Sequence, residues 1–245
     1  MTTIGEGLQA VRARIVRAAQ AAQRDPEAVR LLAVSKTQPA ERVLEAWRLG
    51  QRAFGENYVQ EAIDKMDRLT LLTGNGPASD AIEWHLIGPL QSNKTRQAAE
   101  RFAWIHTVDR EKIARRLSEQ RPAGLPPLNI LLQVNISGEA TKAGVAPDEA
   151  PALAHALATL PGLRLRGLMA IPEPTPDTTT QRARFAAVRI LFETIAASGL
   201  ALDTLSMGMS ADLDSAVAEG STLVRIGTAI FGERNQTQSD PGGLQ

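Results

Sequence analysis

The sequence predicts an α/β fold, a single (β/α)8 barrel of the TIM type with one extra helix at its amino end. Three observations point there. At 245 residues the chain is close to the ~250 residues typical of this architecture. Short apolar runs and amphipathic runs trade places along the whole chain, and strict β-then-α alternation calls for a parallel sheet, because each crossover must return to the same end. Aromatic residues are scarce at 4%, so Leu, Val, Ile and Ala must fill the core, as barrel interiors require. An open doubly wound sheet is the alternative. Eight strands of similar length without a break favour closure.

The elements follow in order. Ile4, Leu8, Val11, Ile15 and Ala18 form a helical stripe over 4–24, closed by Asp25-Pro26. The run LLAVS (31–35) is a short buried strand with Lys36 at its carboxyl end. A helix over 40–49 ends at Gly50, a strand is expected at 51–54, and a helix opens near Gly55-Glu56-Asn57, with Asn57 as its cap. A Gly/Pro/Ser loop over 73–80 leads into a strand at 82–87. Helix 92–102, strand 103–108, helix 109–120, a proline-broken linker 121–127 and the very apolar strand 128–134 come next. A loop over 135–146, helix 147–159, strand 163–169, a proline-rich loop 171–177, helix 178–198, strand 202–206, helix 211–219 and strand 222–226 complete the set. The domain is expected to span 1–234, and the polar, Gly-rich segment 235–245 to be a disordered tail.

Composition excludes several classes of function. Lys plus Arg equals Asp plus Glu at 27 each, and no basic block tracks a nucleic-acid backbone or an anionic membrane. The absence of cysteine removes disulfides, thiolate nucleophiles and cysteine zinc sites, and three histidines make a histidine metal cluster improbable. No apolar run resembles a signal peptide or a membrane span, so a cytoplasmic protein is expected.

In parallel barrels the working residues stand where strands end. Those positions gather Lys36, Asn57, His85, Gly88, Thr107, Asn135, the run Ser206-Met207-Gly208-Met209-Ser210, and Arg225-Ile226-Gly227-Thr228. Glycines that allow close backbone approach, hydroxyls, and helices that begin just after make an anion cradle after strands seven and eight, the usual place for phosphate in a barrel. Capping turns would give the same residues. An amine on strand one facing such a cradle across the mouth is the arrangement that pyridoxal 5′-phosphate requires, an amine for a Schiff base and an anchor for the phosphate. Arg225 would then meet the pyridine nitrogen and keep it unprotonated, which weakens the ring as an electron sink.

The strings LLAVSKTQP (31–39), FGENYVQEAIDK (54–65), EWHLIGPLQSNK (83–94), LLQVNISGEATKAG (131–144), LRGLMAIP (165–172), LSMGMSADLDSAV (205–217) and VRIGTAIFGER (224–234) closely resemble the pyridoxal phosphate homeostasis protein family. The resemblance implies a barrel similar to the amino-terminal domain of alanine racemases, fold type III among pyridoxal phosphate proteins. It puts the cofactor lysine on Lys36, the phosphate on Ser206 or Ser210 and on Gly227-Thr228, and the ring nitrogen on Arg225. It also implies a carrier or buffer of the cofactor in intracellular pyridoxal phosphate homeostasis, with apo pyridoxal phosphate enzymes as recipients and no established turnover. Racemases of this fold set a tyrosine opposite the lysine. The one tyrosine here is Tyr58, so the second base for proton exchange is missing.

Among the remaining candidates, His85 reads as a neutral, hydrogen-bonded histidine rather than a proton shuttle, and Lys142 as a solvated lysine or a second acceptor of the cofactor. Met207 and Met209 would pack beneath a ring, and Lys94 and Arg96 would face an anion or a partner. The expected protein is a monomer without catalytic residues or metal. The competing readings are a pyridoxal phosphate-dependent amino-acid racemase and a phosphate-binding barrel without pyridoxal.

Overall fold

Eight strands close into a barrel in chain order in the computed structural model, which describes residues 2–74, 82–138 and 143–232. They are β1 (Arg30–Val34), β2 (Ala53–Glu56), β3 (Glu83–Leu86), β4 (Trp104–Val108), β5 (Leu128–Gln133), β6 (Leu163–Met169), β7 (Thr204–Ser206) and β8 (Leu223–Ile226). All neighbours are parallel, and β8 returns to β1 with Leu32 opposite Arg225. The described helices are α1 (Ile4–Ala21), α2 (Ala40–Arg48), α3 (Val59–Thr73), α4 (Thr95–Arg101), α5 (Glu111–Gln120), α6 (Ala150–Ala158), α7 (Thr178–Ala197), α8 (Leu213–Ala218) and α9 (Thr228–Phe231). The barrel expected from the alternation is the one observed. The helix expected just after the last strand is the one-turn α9.

One boundary moved with consequences for the site. β2 lies two residues beyond the expected 51–54, because Gly55 and Glu56 stay in the ladder opposite His85 and Leu86. Gly55 therefore opens no helix. A side chain there would press on Leu32 and Ile87, at 3.2 and 3.1 Å, so its absence makes room inside the barrel. α3 starts at Val59, with Tyr58 in the cap position and no side-chain cap bond, and so Asn57 is not the helix cap.

α1 begins with a capping box between Thr3 and Glu6, and its stripe of Ile4, Leu8, Val11 and Ile15 is buried. It lies against α8 and α9, with Gly7 so close that a side chain would fall 2.7 Å from the Ala229 carbonyl oxygen. Most of the apolar core fills the layer between sheet and helices. The barrel interior is different. Two small apolar clusters, Leu32/Ala53/Leu223 and Trp104/Leu131/Met169, flank a polar column of Glu83, His85, His106, Ser206 and Arg225. Its members come from alternate positions of β3, β4, β7 and β8, whose side chains on one face all turn to the axis.

Candidate functional site

Lys36 stands one residue past Ser35, whose amide still donates to Gly55 O at 3.0 Å as an extension of β1. The chain then folds back, with Gln38 N on Ser35 O at 3.0 Å and Thr37 in the left-handed region at φ 63°. A non-glycine residue there needs outside support. The support is ionic. Glu56 accepts from Ser35 Oγ and from Lys65 Nζ, both at 2.6 Å, while Lys65 also donates to Ser35 O at 2.8 Å and to Glu61, which receives the Thr37 amide. The Lys65 and Glu56 side chains are 4% and 0% exposed. Burial raises the Glu56 carboxyl above the ordinary range, and Lys65 and Ser35 work against that rise.

At the end of β8, Arg225 is wholly enclosed. Its guanidinium donates to Ser206 O and Ser206 Oγ, both at 2.7 Å, and to Ala170 O at 3.0 Å. Burial lowers it to about 10, which still leaves it cationic at neutral pH. Two residues on, Gly227 packs on β1, where a side chain would meet Val34 O at 3.1 Å, and Thr228 opens α9. The first amides of a helix lack partners within it, so α9 turns donors outward here. Since β1 and β8 are neighbours, Lys36 and Gly227-Thr228 sit side by side. The placement across the mouth expected from sequence is corrected: closing the barrel makes the first and last strands adjacent.

The segment after β7 is held from several directions. Gly208 has φ 96°, and a side chain on it would fall 2.5 Å from the Ala216 methyl. Met209 N donates to Asp212 Oδ1 at 2.6 Å, and Arg14 of α1 donates to Ser210 O at 2.6 Å. Ser210 remains half-buried, whereas Ser206 is enclosed, its hydroxyl committed to Arg225 and to His106 Nδ1 at 3.0 Å. Met207 is also enclosed, but in the layer between sheet and helices, so it does not lie beneath a ring at the mouth. That correction follows from pleating, which turns neighbours Ser206 and Met207 to opposite faces.

Past the end of β2, the neighbour of β1, Asn57 is half-buried over Gly88, where any side chain would come within 2.1 Å of Asn57 O, and Thr107 Oγ1 donates to Gly88 O at 2.8 Å. Tyr58 is 62% exposed. Lys94 donates to Gln60 Oε1 at 3.4 Å. Lys142 and the tail 235–245 lie outside the described residues. Among the described residues no group of three or more His, Asp or Glu is placed to hold a metal, and no helix is long and apolar enough to cross a membrane.

The family model for the alanine racemase N-terminal domain matches residues 7–235. The pyridoxal phosphate homeostasis protein of Pseudomonas aeruginosa is 60% identical over 235 residues, covering 96% of this chain and 97% of that one. The Escherichia coli protein of the same name is 51% identical over 238 residues, covering 97% and 100%. The chain belongs to the pyridoxal phosphate homeostasis protein family. Among solved structures, PipY of Synechococcus elongatus with pyridoxal phosphate bound is similar to it at TM-score 0.80 and 39% identity, covering 94% of this chain and 100% of that one. Alanine racemase from Corynebacterium glutamicum shares the fold at TM-score 0.68 and 18% identity, with 93% of this chain matching 62% of that one.

Within the family's quoted strings lie residues that sequence reasoning passed over. Glu56 and Lys65 sit in the same string as Asn57, yet nothing in their spacing marks a buried ion pair. Nothing around His106 in the sequence sets it apart from the other two histidines. Glu83, His85 and His106 are separated by up to 23 positions, and only closure of the barrel shows that they touch.

Proposed function

We propose that the chain binds pyridoxal 5′-phosphate as a Schiff base on Lys36 and holds it for delivery, as a carrier or buffer in intracellular pyridoxal phosphate homeostasis. In this reading Ser210, Gly227 and Thr228 take the phosphate, Arg225 meets the ring nitrogen and Asn57 borders the ring. The observation that carries it is the pairing of β1 with β8, which puts an amine, a permanent cation and a glycine-hydroxyl cradle on two adjacent strand ends. The donor set fits the cofactor. Gly208 sits where any side chain would collide with Ala216 and Gly227 where one would press on Val34 O, and the buried Arg225 donates to three neutral oxygens, with the charge of Asp212 bearing on it.

When bound, the cofactor supplies a reactive aldehyde and an electron-withdrawing ring. Arg225 moderates the second property: a guanidinium donates to the ring nitrogen without surrendering a proton, so the ring stays a weak sink and amino-acid turnover is disfavoured. Lys36, kept in place by the Glu56–Lys65 pair beneath its turn, retains the aldehyde reversibly.

The test is the Lys36→Ala variant, expected to lose the visible imine band while keeping the far-ultraviolet circular dichroism of the parent. An unchanged visible spectrum rejects the assignment. Carriage is tested by mixing loaded protein with an apo pyridoxal enzyme while a scavenger removes free cofactor. Enzyme activity must appear faster than cofactor leaks to the scavenger. Loss of optical purity from a single amino-acid enantiomer at enzymatic rates would replace the carrier reading with a racemase.

A further inference from the structure

Five side chains form an unbroken file along the barrel axis, from its floor to the underside of the mouth. Arg225 Nη1 lies 2.7 Å from Ser206 Oγ, Ser206 Oγ 3.0 Å from His106 Nδ1, His106 Nε2 2.8 Å from His85 Nδ1, and His85 Nε2 2.8 Å from Glu83 Oε1. At the floor Glu83 also pairs with Arg30, and its side chain is 34% exposed. The members between are fully buried.

The two ends fix the direction of every bond. The Glu83 carboxylate can only accept, so the neutral rings must pass their protons toward it, and the hydroxyl proton of Ser206, whose Oγ accepts from Arg225, goes to His106 Nδ1. His106 then carries its proton on Nε2 and donates to His85 Nδ1. His85 in turn carries its proton on Nε2 and donates to the Glu83 carboxylate. Both rings are thus neutral and of one tautomer, and each bond polarises the next in the same sense. The surroundings agree. Trp104 stacks on His85 at 5.2 Å, and the charged groups bearing on the two rings are Glu83, Arg30 and Arg225. Burial depresses both histidines, His106 most, with His85, Arg225 and Arg30 adding to the effect there and Glu83 working against it at His85.

We propose that Glu83, His85, His106 and Ser206 are positioning residues for Arg225: a one-way hydrogen-bond relay that delivers the floor carboxylate's compensation to the enclosed guanidinium and aims that guanidinium at the cofactor ring. The relay answers a need visible in the structure. Arg225 is a buried cation whose three direct acceptors are all neutral oxygens, and a buried charge calls for a counter-charge. Asp212, in the segment after β7, bears on Arg225 through space, and the fold joins Arg225 by an unbroken file of bonds to a second carboxylate, Glu83, at the far end of the barrel. The consequence for function, which rests on the cofactor reading above, is that the floor of the barrel tunes the group meeting the ring.

The relay itself is tested on protein free of cofactor, with histidine labelled by nitrogen-15. Imidazole spectra are expected to show His85 and His106 both protonated on Nε2 and unchanging from about pH 8 to about pH 5.5, a window that spans the ordinary histidine value. An Nδ1 proton on either ring, or a ring that titrates in that window, overturns the relay. The coupling is tested on loaded protein with Glu83→Gln, which removes the terminal charge and keeps an acceptor. The pH midpoint of the visible band is expected to move down, because less negative charge is relayed toward the site. Asp203→Asn removes another floor carboxylate, paired with Arg166 outside the relay, and is expected to leave the midpoint in place. Equal movement in both variants, or in neither, overturns the coupling. A protein that takes up no cofactor would instead refute the cofactor reading, while the tautomer result would stand.

Discussion

The Lys65 ammonium lies 2.6 Å from a Glu56 carboxylate oxygen, both enclosed, directly beneath the turn that carries Lys36. Glu56 ends β2 and Lys65 comes from α3, so the pair ties strand, helix and turn together. Lys65→Met leaves the carboxylate buried without its cation, and the expected loss is ~3–5 kcal/mol in a denaturant titration. Glu56→Gln combined with Lys65→Met removes both charges and is expected to recover part of that loss. A single variant as stable as the parent would contradict the pair's role.

Gly88 is expected to tolerate no side chain. An alanine methyl would fall 2.1 Å from Asn57 O, a backbone atom that cannot rotate away. Gly88→Ala should therefore push the Asn57 rim outward, lower stability by about 1–3 kcal/mol, and weaken cofactor retention more than Gly124→Ala, at an open position. Equal retention in the two variants would show that the rim does not matter.

Arg225→Lys keeps the charge and loses the planar fork. One ammonium cannot reproduce the bonds to Ser206 O, Ser206 Oγ and Ala170 O. Each buried acceptor left unpaired costs about 1–3 kcal/mol, so a clear drop in the thermal midpoint is expected, together with a displaced visible band in loaded protein. A variant matching the parent in both measurements would remove Arg225 from the site.

Acid sensitivity should begin early. His85 and His106 are held below the ordinary histidine value by burial, so as pH falls past that value the unfolded chain takes up protons that the folded chain refuses. Stability is then lost at about 1.4 kcal/mol per pH unit for each such histidine. Glu83 adds a later loss: burial would raise it, but His85 and Arg30 prevail and hold it at about 2, so its contribution is present above the usual carboxylate range and fades as pH falls toward that value. Glu56, raised by burial, acts in the opposite sense as a single group. Denaturant midpoints at about pH 7.5, 6.5 and 5.5 should fall, with the larger drop in the lower interval. A flat profile would mean that the two rings are not buried neutral.

The sequence by itself determined the barrel, because the trading of β-type apolar runs with helical stripes is a local property, read from a few residues at a time and enforced by burying one face of each element. It also marked which residues stand at strand ends, since Lys36, Ser210, Arg225, Gly227 and Thr228 each follow a recognisable apolar run. Tertiary structure alone decided what those residues touch. Closure made β1 the neighbour of β8, pleating sent Ser206 inward and Met207 outward, and Glu56 stayed in the ladder where a helix start was expected. The file from Glu83 to Arg225 joins positions far apart in the chain. Such contacts depend on which side chains face the barrel axis at the same height, and that is fixed by strand register, which no local pattern of residues records.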